Sequence, residues 1–160
     1  MKVIIGCDFA GFGLKQEVQG HLSDNKNIKL IDIGMTSLDR EIPYYEVGAM
    51  AARKLQAGEA ERAILFCGTG MGVSIAANKF KGVYASVVES EFTGERCKII
   101  NNANVITMGG WVVAPYRAKK ICDLWLEAAF ARGDRDLDEF SDFLKDAFKE
   151  IQEIESQNFK

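Results

Sequence analysis

The stretch that decides the fold is Ala63-Ile64-Leu65-Phe66, followed by Cys67-Gly68-Thr69-Gly70-Met71-Gly72-Val73-Ser74-Ile75-Ala76-Ala77-Asn78. Four consecutive apolar residues suit a strand covered on both faces. The alternate glycines after Cys67 end that strand in a turn, and Val73, Ala76 and Ala77 then recur at helical spacing. A strand running directly into a helix is half of a βαβ unit, and the same alternation repeats on both sides of it. Further strands are predicted over 2–7, 28–33, 83–87 and 104–108, beside 63–66, and helices over 12–23, 44–57, 71–79, 92–101 and 115–131. Pro43 and Pro115 stand near helix starts, where a missing N–H costs little. The expected fold class is therefore α/β, a five-stranded parallel sheet in a three-layer α/β/α sandwich that ends in an extended C-terminal helix.

At 160 residues the chain suits one globular domain, expected as an α/β body over 1–132 with an amphipathic helical arm of the same domain over 133–160. A 48% hydrophobic composition with two prolines leaves no disordered linker. The net charge of −3, without an arginine-rich run, argues against nucleic acid as a partner. The one histidine, His21, rules out a zinc site built on several histidines and leaves acid–base chemistry to carboxylates, cysteine, tyrosine or lysine. Cys7, Cys67, Cys97 and Cys122 form no CxxC pair, and no signal-peptide or membrane-spanning stretch is visible. A reduced cytoplasmic protein is expected, without disulfide framework, metal or cofactor, and with a small molecule rather than nucleic acid or membrane as its partner.

Positions 133–160 hold nine acidic and four basic residues, a net of −5 against −3 for the whole chain, so the first 132 residues carry +2. Within this tail Leu137, Phe140, Leu144, Ala147 or Phe148, Ile151 and Ile154 recur at spacings of three and four. They make one apolar stripe on a helix of about seven turns. The stripe covers either the chain's own sheet or a partner subunit.

In parallel sheets small ligands gather at the carboxyl ends of the strands, which directs attention to Asp8, Gly34, Cys67, Glu89 and Gly109. Glycines at 68, 70 and 72 let backbone N–H groups turn toward a ligand, and the helix start adds partial positive charge. An oxyanion or phosphate is favoured there, and the same field lowers the pKa of a thiol such as Cys67. The spacing is not that of a P-loop, so a nucleotide is not indicated. The same residues also fit a buried core thiol ahead of a glycine turn. Asp8 either N-caps the following helix or binds a substrate hydroxyl. Asn101, Asn102 and Asn104, ahead of the fifth strand, can simply cap and turn.

Taken together, several stretches resemble the ribose-5-phosphate isomerase B and galactose-6-phosphate isomerase family over about residues 1–130. They are Gly6 and Asp8-x-Ala10-Gly11-Phe12-x-Leu14-Lys15, Asp32-x-Gly34, Pro43-x-Tyr45, the run from Cys67-Gly68-Thr69-Gly70-x-Gly72 through Ser74-Ile75-Ala76-Ala77-Asn78-Lys79-x-Lys81-Gly82, and Asn101-Asn102-Ala103-Asn104-Val105 with Gly109. The resemblance implies a Rossmann-like sandwich that forms a homodimer or higher homo-oligomer with its site at the subunit interface. It implies aldose–ketose isomerisation of a small sugar phosphate through a cis-enediolate, without metal or cofactor. By position, Cys67 would be the base between C1 and C2, and Thr69 would assist proton traffic between the two oxygens. The backbone at Gly68, Gly70 and Gly72 would hold the oxyanion, while Asp8, Tyr45 and Asn101 would bind hydroxyls. A base near neutral pKa with pre-aimed donors is what such a proton transfer needs.

The departures from the family pattern are equally specific. Phe9 and Ile100 stand where the family has histidines, the second credited with opening the sugar ring, and Trp111 stands where an arginine usually follows the glycine pair. The two phosphate arginines of the family fall on Asp134 and Asp138, and a small register shift would bring Arg132 or Arg135 into that role. Three explanations follow. The substrate is a four-carbon sugar that cannot close a furanose ring; or it carries a group other than phosphate, with Phe9 and Trp111 as an apolar or stacking wall; or the chain is a non-catalytic sugar-binding or subunit-partner member. Retention of Cys67 and Thr69 favours the first two.

Overall fold

The computed structural model describes residues 1–132 and 140–159. Among the described residues five strands alternate with five helices and a sixth helix follows: β1 (Lys2–Cys7), α1 (Phe12–Ser23), β2 (Lys29–Gly34), α2 (Tyr44–Gln56), β3 (Arg62–Cys67), α3 (Met71–Ala77), β4 (Ala85–Val87), α4 (Glu91–Asn101), β5 (Val105–Gly109), α5 (Pro115–Glu127) and α6 (Ser141–Asn158). All strand pairings are parallel, in the order β2-β1-β3-β5-β4. The strand order reverses between β1 and β3, so the loops that follow them, at Asp8 and at Cys67, open the crevice where such sheets bind ligands.

Side chains alternate across the sheet and build two cores. Ile64, Phe66, Ile106 and Met108 pack with Leu14, Val18, Ile121 and Trp125 on the α1 and α5 side. Ala63, Leu65 and Cys67 pack with Val47, Ala51, Val73 and Ala77 on the α2 and α3 side. The Cys67 side chain therefore rises from the strand end toward the α2–α3 layer. All four cysteines are buried free thiols. Among the described residues, no helix is long and apolar enough to cross a membrane.

The α1 layer is tied to the sheet by a fully buried lysine. Lys15 Nζ lies 2.7 Å from both Asp32 Oδ1 and the Met35 carbonyl oxygen, and the Gln19 amide donates to Asp32 at 3.2 Å. A buried ammonium is tolerable only when its donors are met in this way.

Several boundaries differ from the sequence reading. The fifth helix stops at Glu127, not 131, because the Arg62 guanidinium, from the start of β3, takes up the carbonyls of Trp125, Leu126 and Ala128. Those carbonyls would otherwise be orphaned at a helix end. β4 begins at Ala85, not 83, where the Asn78 side chain holds both the Ala85 N–H (2.7 Å) and its carbonyl (2.8 Å). Asn78 also closes α3, which ends at Ala77 rather than 79.

The C-terminal helix is present as 18 residues, Ser141–Asn158. Only part of the predicted apolar stripe is covered. Leu144 is buried, and Phe148 packs its ring at 5.0 Å from Tyr84 and 5.3 Å from Phe130. Glu155 then accepts hydrogen bonds from the Gly82 N–H at 2.7 Å and the Tyr84 hydroxyl at 3.0 Å. Phe140, Phe143, Ile151 and Ile154 stay exposed. Leu137 and Arg135 lie outside the described residues, as do Asp134 and Asp138.

Candidate active site

Cys67 ends β3 with only 4% of its surface exposed, and the chain turns immediately. Gly70 makes that turn with φ +80°, a left-handed conformation that glycine adopts without strain. Its N–H donates to Cys67 Sγ at 3.1 Å, and the Met71 N–H donates to Thr69 Oγ1 at 3.3 Å. A thiol, a hydroxyl and a run of turned amides thus share one five-residue bend. The helix that follows has seven residues. Local N–H direction, more than a long helix dipole, therefore sets the field at the bend.

The two flanking glycines are seats for aromatic rings. A Cβ on Gly68 would stand 2.7–2.8 Å from three atoms of the Trp111 indole, and one on Gly72 would stand 2.8 Å from the Tyr44 ring. The loop after β5 is stitched to the bend, with the Gly110 N–H donating to the Cys67 carbonyl at 2.8 Å and the Trp111 N–H to the Gly68 carbonyl at 3.0 Å.

Across from the bend stands Asp8, just past the end of β1 and half-buried. Its Oδ1 accepts the Gly11 N–H at 3.0 Å. The N-cap of α1 is Gly11 itself, so Asp8 sits three residues ahead of the cap, and the capping expectation is corrected accordingly. Burial raises the Asp8 pKa above the ordinary carboxylate value; the Gly11 and Ala10 amides pull it down, and Glu41 adds a smaller upward push. Asp8, Ala10, Tyr44, Cys67, Gly68, Thr69, Gly72 and Trp111 line one open cleft of about 300 Å³. A hollow of about 330 Å³ at the opposite edge, beside Asn25, Asp123 and Glu127, holds neither a thiol nor a glycine turn.

Not every expected residue meets there. Tyr45 is 56% exposed and sets its ring edge-on to Tyr44 at 5.5 Å, while Tyr44 lines the cleft. Asn101 ends α4 and leads into the start of β5, which puts it at the amino edge of the sheet. Arg132 lies at that same edge: the Ala131 N–H donates to the Ile99 carbonyl at 2.9 Å, and Arg132 borders a hollow with Glu95 and Ile99. Helices run back against the strands in this fold, so a single chain keeps Asn101 and Arg132 an entire sheet-length from Cys67. Phe9, next to Asp8, points its ring to solvent. Tyr44 escaped the sequence reading; its only signal was its place just after Pro43, where the chain leaves the carboxyl end of β2. Among the described residues no group of histidine, cysteine and carboxylate side chains could hold a metal ion.

The family model described as Ribose/Galactose Isomerase matches residues 3–142. The 4-deoxy-4-sulfo-D-erythrose isomerase of Clostridium sp. (strain MSTE9) is 43% identical, with 100% of this chain and 99% of that protein covered. D-erythrulose-4-phosphate isomerase 2 of Mycolicibacterium smegmatis is 39% identical over 81% of this chain and 86% of its own. The solved structure of Clostridium thermocellum ribose-5-phosphate isomerase B superposes with a TM-score of 0.86 at 33% identity, covering 99% of both chains.

Proposed function

Because the chain belongs to the ribose/galactose isomerase family and is an aldose–ketose isomerase, we propose that it interconverts 4-deoxy-4-sulfo-D-erythrose and the corresponding four-carbon ketose. The observation that carries this reading is the end-to-end likeness to the sulfo-erythrose isomerase, 43% over the entire chain including its tail. The phosphate-named relative from Mycolicibacterium smegmatis matches 81% of the chain.

The chemistry of that sugar accounts for the family residues this chain lacks. Its C4 carries sulfur in place of a hydroxyl, so it cannot close a furanose ring and needs no imidazole to open one. Phe9 and Ile100 can therefore replace the two histidines without cost to the proton transfer.

In the proposed cycle, the Cys67 thiolate takes the proton from C2 as the C1 carbonyl gathers negative charge. The turned amides between Gly68 and Gly72 stabilise the resulting enediolate oxygen. Thr69 relays the O2 hydroxyl proton to O1, and the thiol, its proton exchanged with solvent, protonates C1. One C–H bond breaks and one forms, with no net change in charge or oxidation. Asp8 binds the C3 hydroxyl, and Tyr44, the tyrosine on the cleft, takes the place expected for Tyr45. Asn101 can reach a cleft only from a second copy of the chain, so a homodimer with shared sites completes the proposal. Arg132, at the same edge, is then the candidate cation for the sulfonate, with Arg135 close in sequence.

The test is turnover in deuterium oxide followed by proton NMR. Incubation with 4-deoxy-4-sulfo-D-erythrose should yield the ketose with one deuterium at C1. Conversion of D-erythrose 4-phosphate alone would overturn the sulfonate assignment, and conversion of neither sugar would overturn the substrate reading as a whole.

A further inference from the structure

We propose that Trp111 is the specificity-determining residue of this cleft, its indole selecting a sugar that ends in a singly charged group over one that ends in a doubly charged phosphate. This rests on the isomerase reading above and extends it to a residue that the reaction itself does not use.

Three features of the cleft carry the inference. The indole lies against Gly68, where a Cβ would come within 2.7 Å of the ring, and the loop that carries it is tied to the bend by the Trp111 backbone N–H, which donates to the Gly68 carbonyl. The ring's outer face is nonetheless open, with 76% of the residue exposed, so whatever enters the cleft meets an aromatic surface. Finally, the lining that one chain supplies is poor in positive charge. Among the described residues that border the cleft, the only charged side chain is Asp8, an acid, and a second aromatic ring, Tyr44 on Gly72, lines it as well.

An anion brought against such a wall loses water that the ring does not replace. The desolvation penalty grows with the square of the charge, so a phosphate dianion suffers far more than a sulfonate monoanion of similar shape. A cation at position 111 would reverse this by pairing with the second charge.

The experiment compares 4-deoxy-4-sulfo-D-erythrose with D-erythrose 4-phosphate, which differ at the far end, in the wild-type protein and in two variants. The measured quantity is the ratio of the two kcat/KM values. At pH 8 the wild type should favour the sulfonate by at least about tenfold, and the preference should shrink at pH 5.5, where phosphate sheds its second charge near its pKa of about 6. Asp8, the charged group of the cleft, repels the dianion more than the monoanion, so the pH shift is read in Trp111→Arg, which keeps Asp8, as well as in the wild type. Trp111→Arg should cut the pH 8 preference by roughly tenfold, whereas Trp111→Phe, which keeps an apolar ring, should stay within about threefold of wild type. A folded Trp111→Arg protein with an unchanged ratio would overturn the assignment. So would a wild-type preference indifferent to pH, a measurement that needs no variant at all. Thermal stabilisation by the unreactive 4-sulfo and 4-phospho aldonates gives the same ratio for binding. Should neither sugar turn over, the isomerisation of these substrates fails, while the aldonate ratio still judges Trp111.

Discussion

Cys67 Sγ and the Gly70 N–H are 3.1 Å apart, a hydrogen bond closed within one bend. The group proposed as base and the turned amides proposed to hold the oxyanion therefore belong to one short backbone segment. Base and oxyanion donors therefore cannot be misaligned independently of one another.

Replacing that thiol separates chemistry from folding. Cys67→Ala should lower kcat by about 10²- to 10⁴-fold, the usual worth of a general base. The melting temperature should fall by only a few degrees, because one small buried atom is lost. Steady-state kinetics with thermal unfolding checks both, and near-normal turnover would remove Cys67 from the role.

Gly70 and Gly82 share a left-handed backbone, with φ +80° and +77°, but differ in surroundings. A Cβ on Gly70 would press on the Met108 and Gly109 backbone at 3.0–3.2 Å, whereas one on Gly82 would meet open space. Gly82→Ala should cost about 1 kcal/mol, the conformational strain alone, with activity intact. Gly70→Ala should cost more than that and also depress turnover, since the amide bonded to Cys67 must move. Equal losses of stability in the two variants would mean that contact contributes nothing.

Lys98 supplies a pH dependence whose sign is definite. Burial, reinforced by the nearby Arg62, lowers its pKa from 10.5 to about 8, against a smaller upward pull from Cys97. Between about 8 and 10.5 the unfolded chain holds the proton that the folded chain has released, so stability rises with pH across that window. Lys98→Gln lacks this contribution. Urea unfolding at pH 7.5 and pH 10 should show the wild type gaining relative to the variant, and a constant difference would contradict the shift.

Asn101 and Cys67 stand at opposite edges of one chain, so the proposed site needs two. Cys67→Ala and Asn101→Ala should each be nearly inactive. Equal mixing after dissociation should restore about a quarter of wild-type activity, because half the dimers are mixed and each has one intact site. Absence of any recovery, with mixed dimers demonstrated by mass spectrometry, would place Asn101 outside the site.

The exposed side of α6 makes a separate test of self-association. Phe143 and Ile154 are 68% and 59% exposed, while Leu144 and Phe148 on the other side hold the helix to its own body. If the exposed side docks on a second copy, Phe143→Asp with Ile154→Asp should lower the sedimentation mass without unfolding the monomer. An unchanged mass would leave that side to solvent.

By itself the sequence determined the α/β alternation and the Cys67-to-Gly72 bend at a strand end, because strand period, helix period and glycine conformations are local properties. It also marked Phe9, Ile100 and Trp111 as departures in composition at the family's site. Only the tertiary structure decided that Tyr44 and not Tyr45 lines the cleft, since neighbours on a helix diverge by about 100° and the facing surface selects between them. The end of α5 at Glu127 depends on Arg62, far away in sequence, and the division of the α6 stripe depends on where Tyr84 and Phe130 lie. The distance of Asn101 and Arg132 from Cys67 has the same origin: antiparallel helices carry each helix end back across the sheet, a consequence of chain path that residue spacing does not encode.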